Sequence, residues 1–395
     1  MIASELISDI IPPLKTSDTV QRVLERMADY KVEHLPIVNE KQFLGLLSEE
    51  DMIEISDYSS PVGSLSLSLI NPYVLETQHV YDVIKTFYEQ KVSVLPVLDE
   101  ITDKVSSKVR DQYEASPYPR WVNLGLPLKP VPISKLVEEI KLKLFDDAIK
   151  EVEAPNILIA GCGTGQHSIG TAARFKGSNV LAIDLSLSSL SYAKRKTEEL
   201  GIQNIDYMQA DILDLGKLGR QFDIVESAGV LHHMDDPVAG WRVLTDCLKP
   251  GGLMKIGLYS ELARQHIVEM RQEISKAGIG SSDAAMKSFR TMVMESDQKH
   301  HKQILNSSDF YSLSTLKDLL FHVQEHRFTI PQIQDCLAEL GLKFCGFEAD
   351  KTVSHFKLTN TGAGDPYELD KWQAYEEVNP SVFMGMYQFW CQKVA

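Results

Sequence analysis

Five short runs rich in apolar residues punctuate the middle of the chain: Ile157–Ala160, Val180–Ile183, Ile205–Ala210, Phe222–Ala228 and Leu253–Tyr259. Such short runs, bounded by turns, predict strands buried on both faces of a parallel sheet. The spans between them suit helices, so the pattern predicts a doubly wound α/β sheet. Ile133 to Lys150 carries Leu136, Ile140, Leu144 and Ala148 at helical spacing and predicts an amphipathic helix leading into the first strand. After Tyr259 the pattern is helical to about residue 330. Ile330–Leu340 then predicts a helix, Leu342–Glu348 a strand and Met384–Lys393 the last strand.

The first hundred residues follow a different rule. Lys31–Glu40 aligns with Lys91–Glu100 at an offset of 60, with five of ten positions identical. Val20, Val23, Leu24 and Met27 precede the first copy at helical spacing, and Val80, Val83, Ile84 and Phe87 precede the second. The first copy continues into an apolar strand, Phe43–Ser48, and a short helix from Glu49. Residues 103–112 stand at that offset in the second copy and supply neither. The repeat places a module at 1–103 and a second domain at 104–395.

Within the second domain the first strand breaks into Gly161-Cys162-Gly163-Thr164-Gly165, where glycines allow a tight turn and close approach of a ligand. Asp184 follows 19 residues after Gly165, at the end of the second strand, where a carboxylate meets a bound ribose. The third strand ends at Asp211-Ile212. The fourth runs through Glu226-Ser227-Ala228-Gly229 into His232-His233, and Lys249-Pro250-Gly251-Gly252 forms a turn before the fifth.

In this order and spacing the residues resemble the class I S-adenosylmethionine-dependent methyltransferases, over roughly 104–395 and most strongly over 155–260. The resemblance implies a Rossmann-like seven-stranded methyltransferase sheet with its last strand antiparallel. It places a cofactor core at about 150–260, a helical cap insertion at 261–330 and the C-terminal strands at 331–395. It implies S-adenosylmethionine as cofactor, held by Gly161, Cys162, Gly163, Gly165, Asp184, Asp211, Ile212 and Ser227. The acceptor it implies is a small molecule or a protein. His232 and His233, at the carboxyl edge of the sheet, are candidate general bases or residues that shape the pocket.

Gln112–Trp121 resembles a segment that precedes the catalytic domain in a bacterial methyltransferase subfamily. Either it folds over the cofactor, with Tyr113 against the sulfonium and Arg120 holding an anionic acceptor group, or it is a proline-stiffened linker. His322-Val323-Gln324-Glu325-His326 matches the HxxEH zinc pattern, whose histidines share one face if helical. The methyltransferase motifs argue against a peptidase, and no metal is expected. His322, Glu325, His326 and Arg327 are read as lining the cap over the acceptor, with Tyr259, or as a solvated helix face.

The N-terminal repeat resembles the tandem CBS modules, a small α+β architecture that binds adenosine nucleotides such as AMP or ATP. Gly45, Ser48 and Asp51 match its G-x-x-[ST]-x-x-D pattern. The same Ser and Asp also suit a helix cap and first turn. The half-missing second copy implies completion by a second chain in a homodimer, degeneration, or fusion of unrelated genes.

The chain has 395 residues and a net charge of −15, with 7 Lys/Arg against 18 Asp/Glu in residues 1–103. That balance argues against broad nucleic-acid binding. No basic-then-apolar leader and no run of about 18 apolar residues is present, so neither export nor a membrane span is expected. Five scattered cysteines without a CxxC suit reduced thiols and a cytoplasmic setting.

Overall fold

The computed structural model describes residues 11–394 apart from 40–41, 66–68, 70–73, 76–79, 95–96, 99–102, 120, 128 and 349. The chain forms two compact units, residues 1–102 and 103–395.

In the first unit the repeat is expressed in the backbone. The helices Val20–Tyr30 and Val80–Gln90 have the same length and the offset of 60. Each ends on a lysine in the left-handed region, Lys31 (φ 55°) and Lys91 (φ 52°). Leu14 pairs in parallel with Ile37, and Val74 pairs in parallel with Val97, again at that offset. Ser93 Oγ joins the copies by accepting from the backbone N–H of Glu33 (3.0 Å) and His34 (2.9 Å). The first copy adds the strand Gln42–Ser48 and the helix Glu49–Ile53. At that offset in the second copy stands the helix Lys104–Ala115 of the second unit instead of a strand followed by a short helix. Met27 is 1% exposed, whereas its equivalent Phe87 is 36% exposed and the neighbouring Tyr88 84%.

The second unit is built on seven strands: β1 Asn156–Ala160, β2 Asn179–Asp184, β3 Ile205–Gln209, β4 Phe222–Ala228, β5 Leu248–Leu258, β6 Leu342–Phe347 and β7 Tyr387–Lys393. Their order across the sheet is β6-β7-β5-β4-β1-β2-β3. β7 runs antiparallel to both neighbours, with Ile256 opposite Phe389. Alternate residues of one strand enter different cores. Leu158 and Ala160 join Trp241, Ile256 and Phe389, whereas Ile157 and Ile159 join Ile133, Phe175 and Trp390. Both faces are therefore covered, which is why the strands read as continuous apolar runs.

A cap of helices, including Gln265–Lys276, Asp283–Glu295, Lys299–Ile304 and Leu313–Phe321, follows β5 and has its own core around Met270, Phe289 and Leu316. Two sequence expectations are corrected. The helix expected over 133–150 stops at Glu139, because Lys141 turns left-handed (φ 56°) and the chain then bonds to β6 through Lys143 N–H and Cys345 O (2.9 Å). The HxxEH segment is extended, because the cap helix ends at Phe321 and His322 takes φ −61°, ψ 140°. Among the described residues no helix is long and apolar enough to cross a membrane.

Candidate functional site

A cavity of about 400 Å³ opens at the carboxyl ends of β1–β4, within the range of small-molecule sites. Gly161 and Gly163 line it in the left-handed region, with φ of 79° and 52°. A Cβ on Gly163 would stand 2.5 Å from the Tyr118 carbonyl oxygen, and one on Gly161 would enter the Val230 side chain. The missing side chains thus admit neighbouring protein, and the backbone faces the cavity.

Asp184 closes one wall. Its carboxylate accepts from Gly163 N–H (2.7 Å) and Ser186 N–H (3.0 Å), which fix the oxygens at the end of β2. Burial raises its pKa, and the two backbone bonds oppose the rise. A carboxylate has about four acceptor positions, so capacity remains for hydroxyls. Asp211 caps the turn after β3 by accepting from Leu213 N–H (3.0 Å). It lines the cavity with Ile212 and Cys162, whose thiol burial pushes well up.

The helix Lys104–Ala115 forms the roof, lining the cavity with Ser106, Val109 and Tyr113. Glu114 caps the helix Leu187–Glu199 through Leu187 N–H (2.5 Å) and Ser188 N–H (3.1 Å). Thr164 N–H donates to Tyr118 O (3.2 Å), tying the following proline-rich segment to the glycine turn. Tyr113 O–H donates to Asp318 Oδ1 (2.7 Å) on the cap. Tyr113 is therefore both roof and latch, and Arg120 lies outside the described residues.

His233 and Asp318 line the opposite end. His233 Nδ1 lies 2.7 Å from the backbone oxygen of Gln324, so it carries the proton and leaves a lone pair on Nε2. The N–H of the same Gln324 donates to His322 Nδ1 (3.2 Å), which places the proton of that ring on Nε2. One peptide residue thus fixes opposite tautomers in two rings stacked 3.6 Å apart. Burial, with Arg264 and Arg271 nearby, holds His233 down at about 3, so its ring is neutral. Burial pushes Asp318 up to about 6 despite the Tyr113 bond. His233, Asp318 and His322 offer donors within 4.8 Å of one another. A proton on His322 Nε2, which has no hydrogen-bond partner among the described residues, argues against a metal centre there.

Other expected residues sit elsewhere. His232 is wholly buried outside the cavity, stacked 3.9 Å from the Tyr259 ring, with both nitrogens unpartnered among the described residues. Ser227 is buried inside β4, and Gly165 packs on Ala193; neither lines the cavity. His326 bonds the Gln324 side chain (2.9 Å). Glu325 is enclosed by Arg264 (2.8 Å), Arg327 (3.6 Å) and Arg271 (3.7 Å). Tyr259 does line the cavity, under the Arg264 guanidinium at 3.5 Å.

Sequence reasoning missed Asp318, His167 and Lys255. Burial alone would raise Glu226, but His167 at 2.6 Å and Lys255 outweigh it and hold the carboxyl at about 2. The signal was present as charges inside apolar strands and as one acid among the leucines of Leu313–Phe321.

Comparison with known proteins agrees with this geometry. A methyltransferase-domain family model matches residues 157–252, and a CBS-domain model matches residues 3–58. An uncharacterised protein of Synechococcus sp. is 27% identical over 56% of this chain and 56% of its own length. A ubiquinone biosynthesis O-methyltransferase of Marinobacter nauticus is 33% identical over 30% of this chain and 49% of that protein. The chain spans about half the length of these curated relatives. PKMT2 from Rickettsia typhi, solved with AdoHcy, superposes with a TM-score of 0.50 at 15% identity, over 69% of this chain and 54% of that one, and shows the shared fold. The match over 157–252 and the seven-stranded fold mark a methyltransferase domain. The chain thus carries a region matching a CBS domain ahead of a region matching a methyltransferase domain, on the fold of the solved methyltransferase.

Proposed function

We propose that the protein transfers a methyl group to an acceptor hydroxyl, on a small molecule or a protein, with His233 and Asp318 handling the proton. The observation that carries this reading is the His233 Nε2 lone pair, fixed by the Gln324 carbonyl on a ring that lines the cavity. The likeness to ubiquinone biosynthesis O-methyltransferases supports an oxygen acceptor.

The cavity fits the cofactor: a glycine backbone free of side chains faces an anchored carboxylate. Asp184 would hold the ribose hydroxyls, Asp211 and Ile212 the adenine, and the Gly161–Gly163 backbone the amino-acid end. When bound, S-adenosylmethionine supplies a methyl on a sulfonium, already activated for in-line displacement. The chain's own residues align the acceptor and exclude water. The Lys104–Ala115 roof and the Tyr113–Asp318 latch provide the exclusion. Burial keeps His233 neutral and able to accept a hydroxyl proton, and Asp318, near 6, is the stronger base beside it.

Calorimetric titration with S-adenosylhomocysteine tests the cofactor half. Asp184→Ala is expected to weaken binding about a hundredfold, since hydrogen bonds to a charged group contribute about 1.5–3 kcal/mol each. Unchanged binding removes the assigned role of Asp184. Incubation with methyl-labelled cofactor and matched hydroxyl and amine acceptors tests the other half, and label on nitrogen alone overturns the hydroxyl assignment.

The CBS match favours a second role for residues 1–102, binding AMP or ATP to regulate the enzyme. In the structure Ser48 caps the Glu49–Ile53 helix and donates to Asp51 Oδ2 (2.6 Å), so a nucleotide must replace that bond. The exposed Ile84, Phe87 and Tyr88 suit completion by a second copy. Nucleotide titration and sedimentation test these two readings separately.

A further inference from the structure

The cap contains a second pair of adjacent histidines, His300 and His301, on the helix Lys299–Ile304. They face two glutamates one turn apart, Glu269 and Glu273, on the helix Gln265–Lys276. His301 Nε2 lies 2.6 Å from Glu273 Oε2, and His300 Nε2 lies 3.5 Å from the same oxygen. His300 Nδ1 lies 3.2 Å from Glu269 Oε2. His301 is fully buried and the His300 side chain is 16% exposed. None of the four lines the cavity.

We propose that His300, His301 and Glu273 bind a divalent transition-metal ion, with Glu269 positioning His300. Two imidazoles and a carboxylate are a donor set suited to Zn(II), with a fourth position left for water. Glu269 carries the argument. By accepting from Nδ1–H of His300 it leaves a lone pair on Nε2, aimed at an ionised carboxylate. Two acceptors 3.5 Å apart repel unless a proton or a metal ion lies between them. A carboxylate behind a ligand histidine is also the usual support for a metal-bound ring.

Zinc bonds of about 2.0–2.1 Å put tetrahedral donors roughly 3.3 Å apart. The three donors already lie within 4.8 Å of one another. The Glu273–His301 contact needs to open by about 0.7 Å to reach that spacing. The competing arrangement is proton-only, with the two ring nitrogens of His300 donating to Glu269 and Glu273 and His301 Nε2–H donating to Glu273. His301 Nδ1 has no partner in either case and does not choose between them.

The full-length protein is loaded with Zn(II) at pH 7.5, dialysed and assayed for bound metal and thermal unfolding. One tightly held ion per chain and a raised unfolding midpoint are expected, both lost in Glu273→Gln. Glu269→Gln is expected to weaken binding about 10–100-fold. His300→Asn is the second variant, at a partly exposed side chain, should Glu273→Gln fail to fold. Co(II) loading adds a visible absorption band expected in the wild type and absent from His300→Asn. No retained metal, or equal retention in a folded Glu273→Gln or His300→Asn, overturns the proposal.

Discussion

The chain carries two histidine pairs of nearly identical geometry and opposite surroundings. His232 and His233 lie with ring centroids 4.3 Å apart at 71°, and His300 and His301 lie 4.4 Å apart at 68°. The first pair sits against backbone groups and arginines, with no acid bonded to either ring among the described residues. Burial therefore strips its protons, leaving a neutral base. The second pair faces Glu269 and Glu273, so its surroundings call for a cation. Chemistry here is decided by what the fold brings opposite the dipeptide, not by the dipeptide.

The contrast can be broken at several points. His233→Ala is expected to lower kcat about 10²–10⁴-fold, the usual contribution of a positioned base, with binding of S-adenosylhomocysteine preserved. A loss below threefold removes the proton-accepting role. The pH profile gives a smaller effect. Asp318, near 6, accepts a proton only when ionised, so kcat/KM should fall about tenfold per unit as pH drops below 6. Asp318→Asn should remove that acid limb and leave a lower, flatter profile. A chelator should separate the pairs next, lowering the unfolding midpoint by several degrees through the cap while the pH profile keeps its shape. The smallest effect belongs to His232→Phe. This ring packs on Tyr259 outside the cavity, so kcat should stay within about threefold, and a hundredfold loss would return His232 to the catalytic set.

Much of the architecture was legible in the sequence because the central strands β1, β2, β4 and β5 are covered on both faces. Gly161, Asp184 and Asp211 sit at strand ends, where a local pattern fixes their place. The repeat at 60 residues predicted even the uncovered face now seen at Phe87. Residues brought in from the cap were not legible in this way. Asp318 reaches Tyr113 across 205 positions, and no local pattern encodes that contact. The HxxEH segment misled because its spacing suits a helix, whereas its backbone is drawn out to bond His232 and Tyr259 through His326 N–H and Phe328 N–H (2.7 and 2.8 Å). The His300-His301 pair carried no signal until Glu269 and Glu273 stood across from it.

The two proton positions at the His233 end of the cavity are set by the main chain of Gln324, not by any side chain. The polarity of the site is therefore robust to most point substitutions at 324, since every amino acid has the carbonyl and all but proline the N–H. It is fragile to length. One residue inserted or deleted between 322 and 327 would shift the peptide register and swap or erase both tautomers. Among related chains, position 324 is free to drift in identity, while the spacing from His322 to Arg327 is expected to stay fixed.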